Sequence, residues 1–267
     1  MKNVSICFIS LITISLILSP LLRRSSNYNS IRSSHKSYIK KRMNYRKICK
    51  PKKNPNYEKN QNEESFKSKG TNWQGDWSSG NCAYKMWSRP SNLGYIAISS
   101  NQWKESKACG TCISVTGPGG TFIGIVGDQC PSCVQDGLDL DDSFWNQVSG
   151  NQKPGIIDIN WTIIPCSFSE PLKFINNIGT SQYWVSIQVV GSNTAIQSLE
   201  ISHPGKESWQ TLKLGTNSNY WQLEGDGGEM GETADLKVTC QDGKTFITQS
   251  VDIATPQNIH TATVNCN

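Results

Sequence analysis

Histidine and methionine are scarce in this chain, with three and four residues respectively among 267. The histidine clusters that hold metal in many hydrolases are thereby excluded as its main chemistry. Aliphatic residues are sparse from residue 23 to residue 69, a stretch that cannot offset the entropy of ordering itself. The glycine-rich turn Gly117-Pro118-Gly119-Gly120 is followed by no Lys-Ser/Thr pair and no helical pattern, so a phosphate-cradling loop is excluded there. Nothing resembles a fibre, a coiled coil or a multi-span membrane protein. At 36% hydrophobic with 22 Gly, the chain can still bury a real core. Ten Cys and nine Trp are abundant, and they point to an oxidising compartment and to aromatic surface or core.

The net charge of +5 hides a split. Residues 23 to 69 carry 15 Lys and Arg against 3 Asp and Glu, a net of +12, whereas residues 70 to 267 carry 10 against 18, a net of −8. The basic character belongs to a tail, read as a disordered linker over 23–69, and the globular part is acidic. A solvated spacer is the preferred reading of the tail, and electrostatic attachment to an acidic polysaccharide or anionic surface is its functional alternative.

Residues 4 to 22 are uncharged, follow Lys2 and read as a secretory signal, so residues 1–22 form a signal peptide. An uncleaved anchor is the alternative, because nineteen such residues are long enough to span a bilayer and no A-x-A-like cleavage site is evident. Secretion follows from the first reading, and a single-pass protein with its β domains outside follows from the second. Nucleic acid is not expected as a partner on a secretory route.

From residue 70 the texture changes to short period-2 runs separated by Gly, Pro, Asn and Asp, the pattern of an all-β protein. Strands are expected at 94–99, 111–116, 121–127 and 156–163, the middle two joined by the Gly117–Gly120 turn. After a short hinge from Pro165 to Pro171, seven more fit at 184–190, 196–201, 208–214, 219–224, 234–240, 244–253 and 260–265, suggesting a β-sandwich. Two β domains are expected, at 70–168 and 169–267.

Cys109-Gly-Thr-Cys112 and Cys130-Pro-Ser-Cys133 are 17 residues apart, which satisfies the spacing of a four-cysteine zinc site. Disulfides are preferred on compartment grounds, with Cys82, Cys166, Cys240 and Cys266 as further partners. Cys240 and Cys266 are the only pair in the second domain. The six cysteines of the first allow fifteen pairings. Cys7 lies in the signal segment and Cys49 in the basic tail, where it is free or intermolecular.

The densest carboxylate cluster is 128–145, which contains Asp128, Asp136, Asp139, Asp141 and Asp142. Asp139, between Leu138 and Leu140, is the candidate for a buried proton donor to a glycosidic oxygen. Asp141 or Asp142 is expected to cap a helix running to Val148. In 184–190, alternation sets Val185, Ile187 and Val189 against Trp184, Ser186 and Gln188, leaving Trp184 facing water. Around 219–223, Trp221 and Leu223 point inward and Tyr220 outward. Exposed aromatics on such a face suit stacking on sugar rings. Asn160-Trp161-Thr162 is a glycosylation sequon on the outward side of a strand.

The ordered series Gly80-Asn-Cys-Ala-Tyr84, Ala108-Cys-Gly-Thr-Cys112, Gly127-Asp-Gln-Cys-Pro-Ser-Cys133, Gly137-Leu-Asp-Leu140, Asp158-Ile-Asn-Trp161 with Pro165-Cys166, and Ser181-Gln-Tyr-Trp184 with Ile187-Gln188 resembles the expansin and expansin-like family. The match runs from about residue 72 to near the C-terminus. The resemblance implies a six-stranded double-psi β-barrel followed by an immunoglobulin-like sandwich that binds cellulose, and non-hydrolytic loosening of wall polysaccharide contacts with no cofactor. It implies Asp139 as the essential acid, Asp128 in the same groove, and Tyr183, Trp184 and Tyr220 as the cellulose platform. By analogy with the plant allergen relatives it implies Cys82–Cys109 and Cys112–Cys166, leaving Cys130–Cys133. Two motifs depart: Cys130 stands where bacterial members carry a Tyr, and the His-Phe-Asp motif of plant members is missing. The expected protein is a secreted monomer acting on β-glucan. An endoglucanase using Asp76 or Asp136 as base, and a purely structural wall protein, are the rival readings.

Overall fold

The computed structural model describes residues 64–225 and 228–266. The signal or anchor segment 1–22, most of the basic tail, Cys7 and Cys49 lie outside the described residues. Among the described residues no helix is long and apolar enough to cross a membrane.

Six strands close into a barrel in the order β1-β5-β2-β4-β3-β6: β1 (Ser65–Trp73), β2 (Gly94–Ser99), β3 (Cys112–Gly117), β4 (Gly120–Cys130), β5 (Leu138–Asp141) and β6 (Ile156–Ile164). Apart from one bulge in β4, side chains alternate along the strands. Ile96 and Ile98, Ile113 and Val115, Leu138 and Leu140, and Ile157, Ile159 and Trp161 fill the interior. The intervening residues of each strand face outward. Closure leaves no strand edge open to pairing with another chain.

β1 starts at Ser65, inside the segment expected to be spacer. Its Lys- and Ser-rich outward positions disguise it. The inward side carries Phe66, which stacks on Trp161 at 4.1 Å between ring centroids, and Gly70, which leaves room for Ile159.

Helix α1 (Ser100–Trp103) follows β2, and helix α2 (Asp142–Ser149) closes one side of the barrel with Phe144, Trp145 and Val148. The second helix ends at Gly150, whose left-handed backbone lets its N–H reach the carbonyls of Asn146 and Gln147. Asp141 occupies its N-cap position but makes no capping bond there. The carboxylate instead accepts from the Tyr95 backbone N–H at 3.0 Å, Arg89 at 3.0 Å and the Ser143 hydroxyl at 2.8 Å. An ion pair to the loop before β2 and a bond to β2 itself take the place of the expected cap.

The C-terminal half is one ladder of eight strands bent around its own core, in the order β13-β12-β9-β10-β11-β8-β7-β14. They are β7 (Lys173–Asn176), β8 (Ser186–Val190), β9 (Ile196–Ser202), β10 (Gln210–Leu214), β11 (Tyr220–Gln222), β12 (Thr233–Cys240), β13 (Thr245–Asp252) and β14 (Ile259–Thr261). Val185, Ile187, Leu199, Ile201, Trp221, Leu236 and Val238 meet inside it. β7 was not anticipated, because four residues after a Pro-rich hinge carry too little alternation to register.

The barrel and this sandwich belong to one compact unit. The Gln188 side-chain amide donates to the carbonyls of Cys82 at 2.8 Å and Ala83 at 3.3 Å, and Ile175 and Val190 pack into the barrel's apolar cluster. The alternation of β8 holds, and Trp184 on its outward side is exposed. On the same side Ser186 and Gln188 are completely buried, Gln188 beneath the barrel and Ser186 among Asn177, Thr180 and Gln222.

Candidate functional site: a transverse polar row and an aromatic turn

Register brings distant carboxylates to one level of the barrel's outer face. Thr71 pairs with Asp139 between β1 and β5, Asp139 with Ala97 between β5 and β2, and Ala97 with Asp128 between β2 and β4. The result is a row, Thr71–Asp139–Ala97–Asp128, crossing four strands. Ala97 in the centre supplies a low floor between two acids.

Asp128 owes its direction to a bulge. Val126 points inward with Ile96, and strict alternation would send Asp128 into the core as well. The register shifts by one residue between Ile96 and Ala97, so Gly127 is the extra residue and Asp128 emerges outward. Only glycine fits there, since a Cβ would lie 2.7 Å from both Trp77 and Tyr95. The Asp128 Oδ1 atom then accepts the backbone N–H groups of Asn81 and Gln129, each at 2.7 Å.

Asp139 is half-buried and accepts a hydrogen bond from the Thr71 hydroxyl through Oδ1. Its Oδ2 lies 3.3 Å from Cys130 Sγ. That sulfur is bonded to Cys133 and carries no hydrogen, so this is a contact and not a hydrogen bond. Beyond Asp139 the surface dips into a cavity of about 210 Å³ lined by Lys69, Thr71, Val134, Ile156 and the Cys130–Cys133 bridge.

A second row lies one step along. Trp73 pairs with Asp141, and its ring meets Tyr95 at 4.7 Å. Burial, reinforced by the charges of Asp128, Asp76 and Asp141 against the opposing Arg89, pushes the Tyr95 phenol well above its ordinary range. It therefore stays protonated and donates to the Asp76 carbonyl at 3.3 Å. Thr71, Trp73, Tyr95 and Arg89 were not singled out from sequence. The pairing of β1 with β5, and of β5 with β2, places the first three beside the acids, and Arg89 reaches Asp141 from the loop before β2.

Of the other carboxylates, Asp136 is held by the side-chain amides of Asn101 and Gln102 at 2.6 and 2.7 Å, and its carbonyl accepts from Trp161. It pins a loop. Asp76 is exposed and bonded to the Ser78 N–H and hydroxyl, which hold its carboxyl below the usual range.

Tyr183 and Trp184 sit on a tight turn preceding β8, and Trp184 is not itself in that strand. Backbone bonds between Ser181 and Trp184 close the turn, and the Ser181 hydroxyl accepts the N–H of Tyr183 at 3.3 Å and of Trp184 at 3.1 Å. The rings are 68% and 42% exposed, high for residues of this size. Trp184, Ser186 and Gln188 share one face, and Tyr220 stands opposite Gln188 on that face. Tyr220 is half-buried, and that burial raises its phenol pKa. It lies roughly 13 Å from Trp184 along the strand, at about 3.3 Å per residue.

The cysteines pair as Cys82–Cys109, Cys112–Cys166, Cys130–Cys133 and Cys240–Cys266. The two C-x-x-C motifs are thus divided among three bridges, and the four-cysteine zinc reading is set aside. Asn160 is exposed in β6 between Lys67 and Thr116 on its neighbours.

No family model matches the chain. Among curated proteins it is similar to "Expansin-like protein 1" of Dictyostelium discoideum, 25% identical over 156 residues, or 55% of this chain and 54% of that one. The chain spans about half the length of the curated relatives it matches. Among solved structures it is similar to apo Clavibacter michiganensis expansin, with a TM-score of 0.67 and 25% identity over 76% of this chain and 98% of that one. A point mutant of that expansin, solved in complex with cellohexaose, superposes with a TM-score of 0.66 at 24% identity over the same shares.

Proposed function

Because the chain belongs to the expansin family, we propose that it is a secreted protein that binds cellulose or a related β-glucan and loosens contacts between wall polysaccharide chains without cutting them. The observation that carries this reading is the transverse row of Thr71, Asp139, Ala97 and Asp128 on the barrel, in one compact unit with the exposed Tyr183 and Trp184 of the sandwich.

In this reading Tyr183 and Trp184 dock the sandwich by stacking on glucose rings, with Tyr220 at the far end of the same face. A neighbouring glucan segment enters the barrel groove. Asp139 and Asp128 accept hydrogen bonds from its hydroxyls, and Thr71 exchanges its bond to Asp139 for one to sugar. Hydrogen bonds between glucan chains are thereby replaced by bonds to protein, and the chains separate laterally. No bond is broken covalently and no cofactor takes part. Residues 70–168 act as the groove-bearing domain and 169–267 as the docking domain, the protein works as a monomer, and Asn160 is its glycosylation site.

Hydrolysis is the second reading, and one feature favours it. Asp139 and Asp128 stand on the two strands flanking β2, their backbones roughly 9.6 Å apart at a strand spacing of about 4.8 Å, so that carboxyl groups leaning toward Ala97 would fall within the separation of about 6.5–9.5 Å of an inverting glycosidase. Against it, two backbone N–H groups already engage Asp128, and Asp76 and Asp136 are occupied in loop bonds. The test is Asp139→Ala, measured for binding to cellulose and for extension of a cellulose strip under load. The expected outcome is retained binding with extension lost. Extension unchanged would mean that loosening does not pass through Asp139, and binding without extension by the unsubstituted chain would leave a structural binding protein.

A further inference from the structure

We propose that the Cys130–Cys133 disulfide is reducible, and that its dithiol forms with Asp139 a binding site for a zinc-class divalent cation. Several independent observations meet at this place. Among the described residues, Cys130, Cys133 and Asp139 offer three ligand atoms that all lie within 4.8 Å of one another. Two thiolates and a carboxylate are a donor set for zinc and its spectroscopic stand-in cobalt. A tetrahedral site with metal–sulfur bonds of about 2.3 Å needs its thiolates about 3.8 Å apart, a separation that side-chain rotation at two positions three residues apart can reach once the S–S bond is gone. The fourth position opens onto the cavity of about 210 Å³, which has room for a water ligand.

The same bridge is the one least needed as a staple. It closes a loop of sequence separation 3, against 26, 27 and 54 for the other three. Loop-closure entropy, and with it the stabilisation of the fold, is therefore smallest here. The bridge is a C-x-x-C pair, and Cys133 is partly exposed at the cavity while Cys130 is 4% exposed. Gly137 packs beneath Cys133, where a Cβ would come within 3.3 Å of the Cys133 Cβ and 2.9 Å of the Val134 carbonyl.

The reductant is a small dithiol. One of its thiolates attacks Cys133 Sγ, the S–S bond breaks and Cys130 leaves as thiolate. The second thiol of the reagent then closes the reagent's own ring and releases Cys133. Two electrons pass from the reagent to the protein, and the bound cation displaces the remaining thiol protons. Asp139 turns from Thr71 to the metal, so the loaded form withdraws that acid from the row.

The experiment uses the full chain under a graded dithiol buffer, with alkylation and mass spectrometry locating the reduced cysteines, followed by titration with Co²⁺. Cys130 and Cys133 are expected to become alkylated before the other three bridges open. The singly reduced protein is expected to take one Co²⁺ with thiolate-to-cobalt absorption, and the oxidised protein none. A chain with Cys130→Ser and Cys133→Ser measures any contribution of Cys7 and Cys49 and should lack this absorption. Asp139→Asn leaves the bridge in place and should weaken Co²⁺ binding after reduction by about tenfold or more. The proposal is overturned if another bridge opens first, if the singly reduced chain shows no thiolate absorption, or if the double serine chain shows the same absorption. None of these readouts depends on wall loosening, so the proposed function and this site can fail separately.

Discussion

The barrel groove and the sandwich's aromatic turn present function by opposite means. Tyr183 and Trp184 are adjacent in sequence, and a four-residue turn is enough to expose both. Thr71, Asp128 and Asp139 come from β1, β4 and β5, and the row exists only because β5 inserts between β1 and β2. A local site tolerates strain elsewhere in the fold. A site built by register depends on every pairing across it.

That contrast predicts where each half breaks. Gly127→Val should have the larger effect, because its added atoms meet Trp77 and Tyr95. Overpacking of this kind costs about 1–3 kcal/mol, and loss of the bulge would also turn Asp128 inward. The expected result is a lowered melting temperature and lost strip extension, with cellulose binding by the sandwich retained, as read by calorimetry and pull-down. Replacing Tyr183 or Trp184 by Ala should do the reverse. Each change should weaken cellulose binding about tenfold, or about 1.4 kcal/mol, and leave the melting temperature nearly unchanged.

The smallest effect concerns alkali. The buried phenols of Tyr84 and Tyr95 keep their protons in the folded chain, whereas unfolded tyrosine ionises near pH 10. The unfolded state therefore binds fewer protons above that pH, and stability falls as pH rises past about 10. Tyr95→Phe should flatten part of that fall in denaturant titrations at pH 9, 10 and 11.

Much of this was legible in the residues, and the exceptions have common causes. The strands β2, β3, β4 and β6 fall close to where alternation places them, whereas β5 is only four residues long, too short to register, and Asp139, read as a buried acid, stands half-buried on the outer face. β1 was hidden because its outward positions are Lys, Ser and Thr, and Thr71 was hidden with it. The Gly127 bulge exists only in the pairing of β4 with β2, so no window of sequence reveals it. The burial of Ser186 and Gln188 is not readable from sequence, because alternation names a side of a sheet, not what covers it. The cysteine pairing needed the family resemblance, since spacing alone left fifteen arrangements.

The central claim is loosening without cutting. Its most direct test is the full chain applied to a cellulose strip under constant load, with extension recorded while the bathing buffer is assayed for reducing sugar. Extension with no sugar released is the predicted result. Sugar appearing in proportion to extension would contradict the account and make Asp139 and Asp128 the acid and base of an inverting endoglucanase.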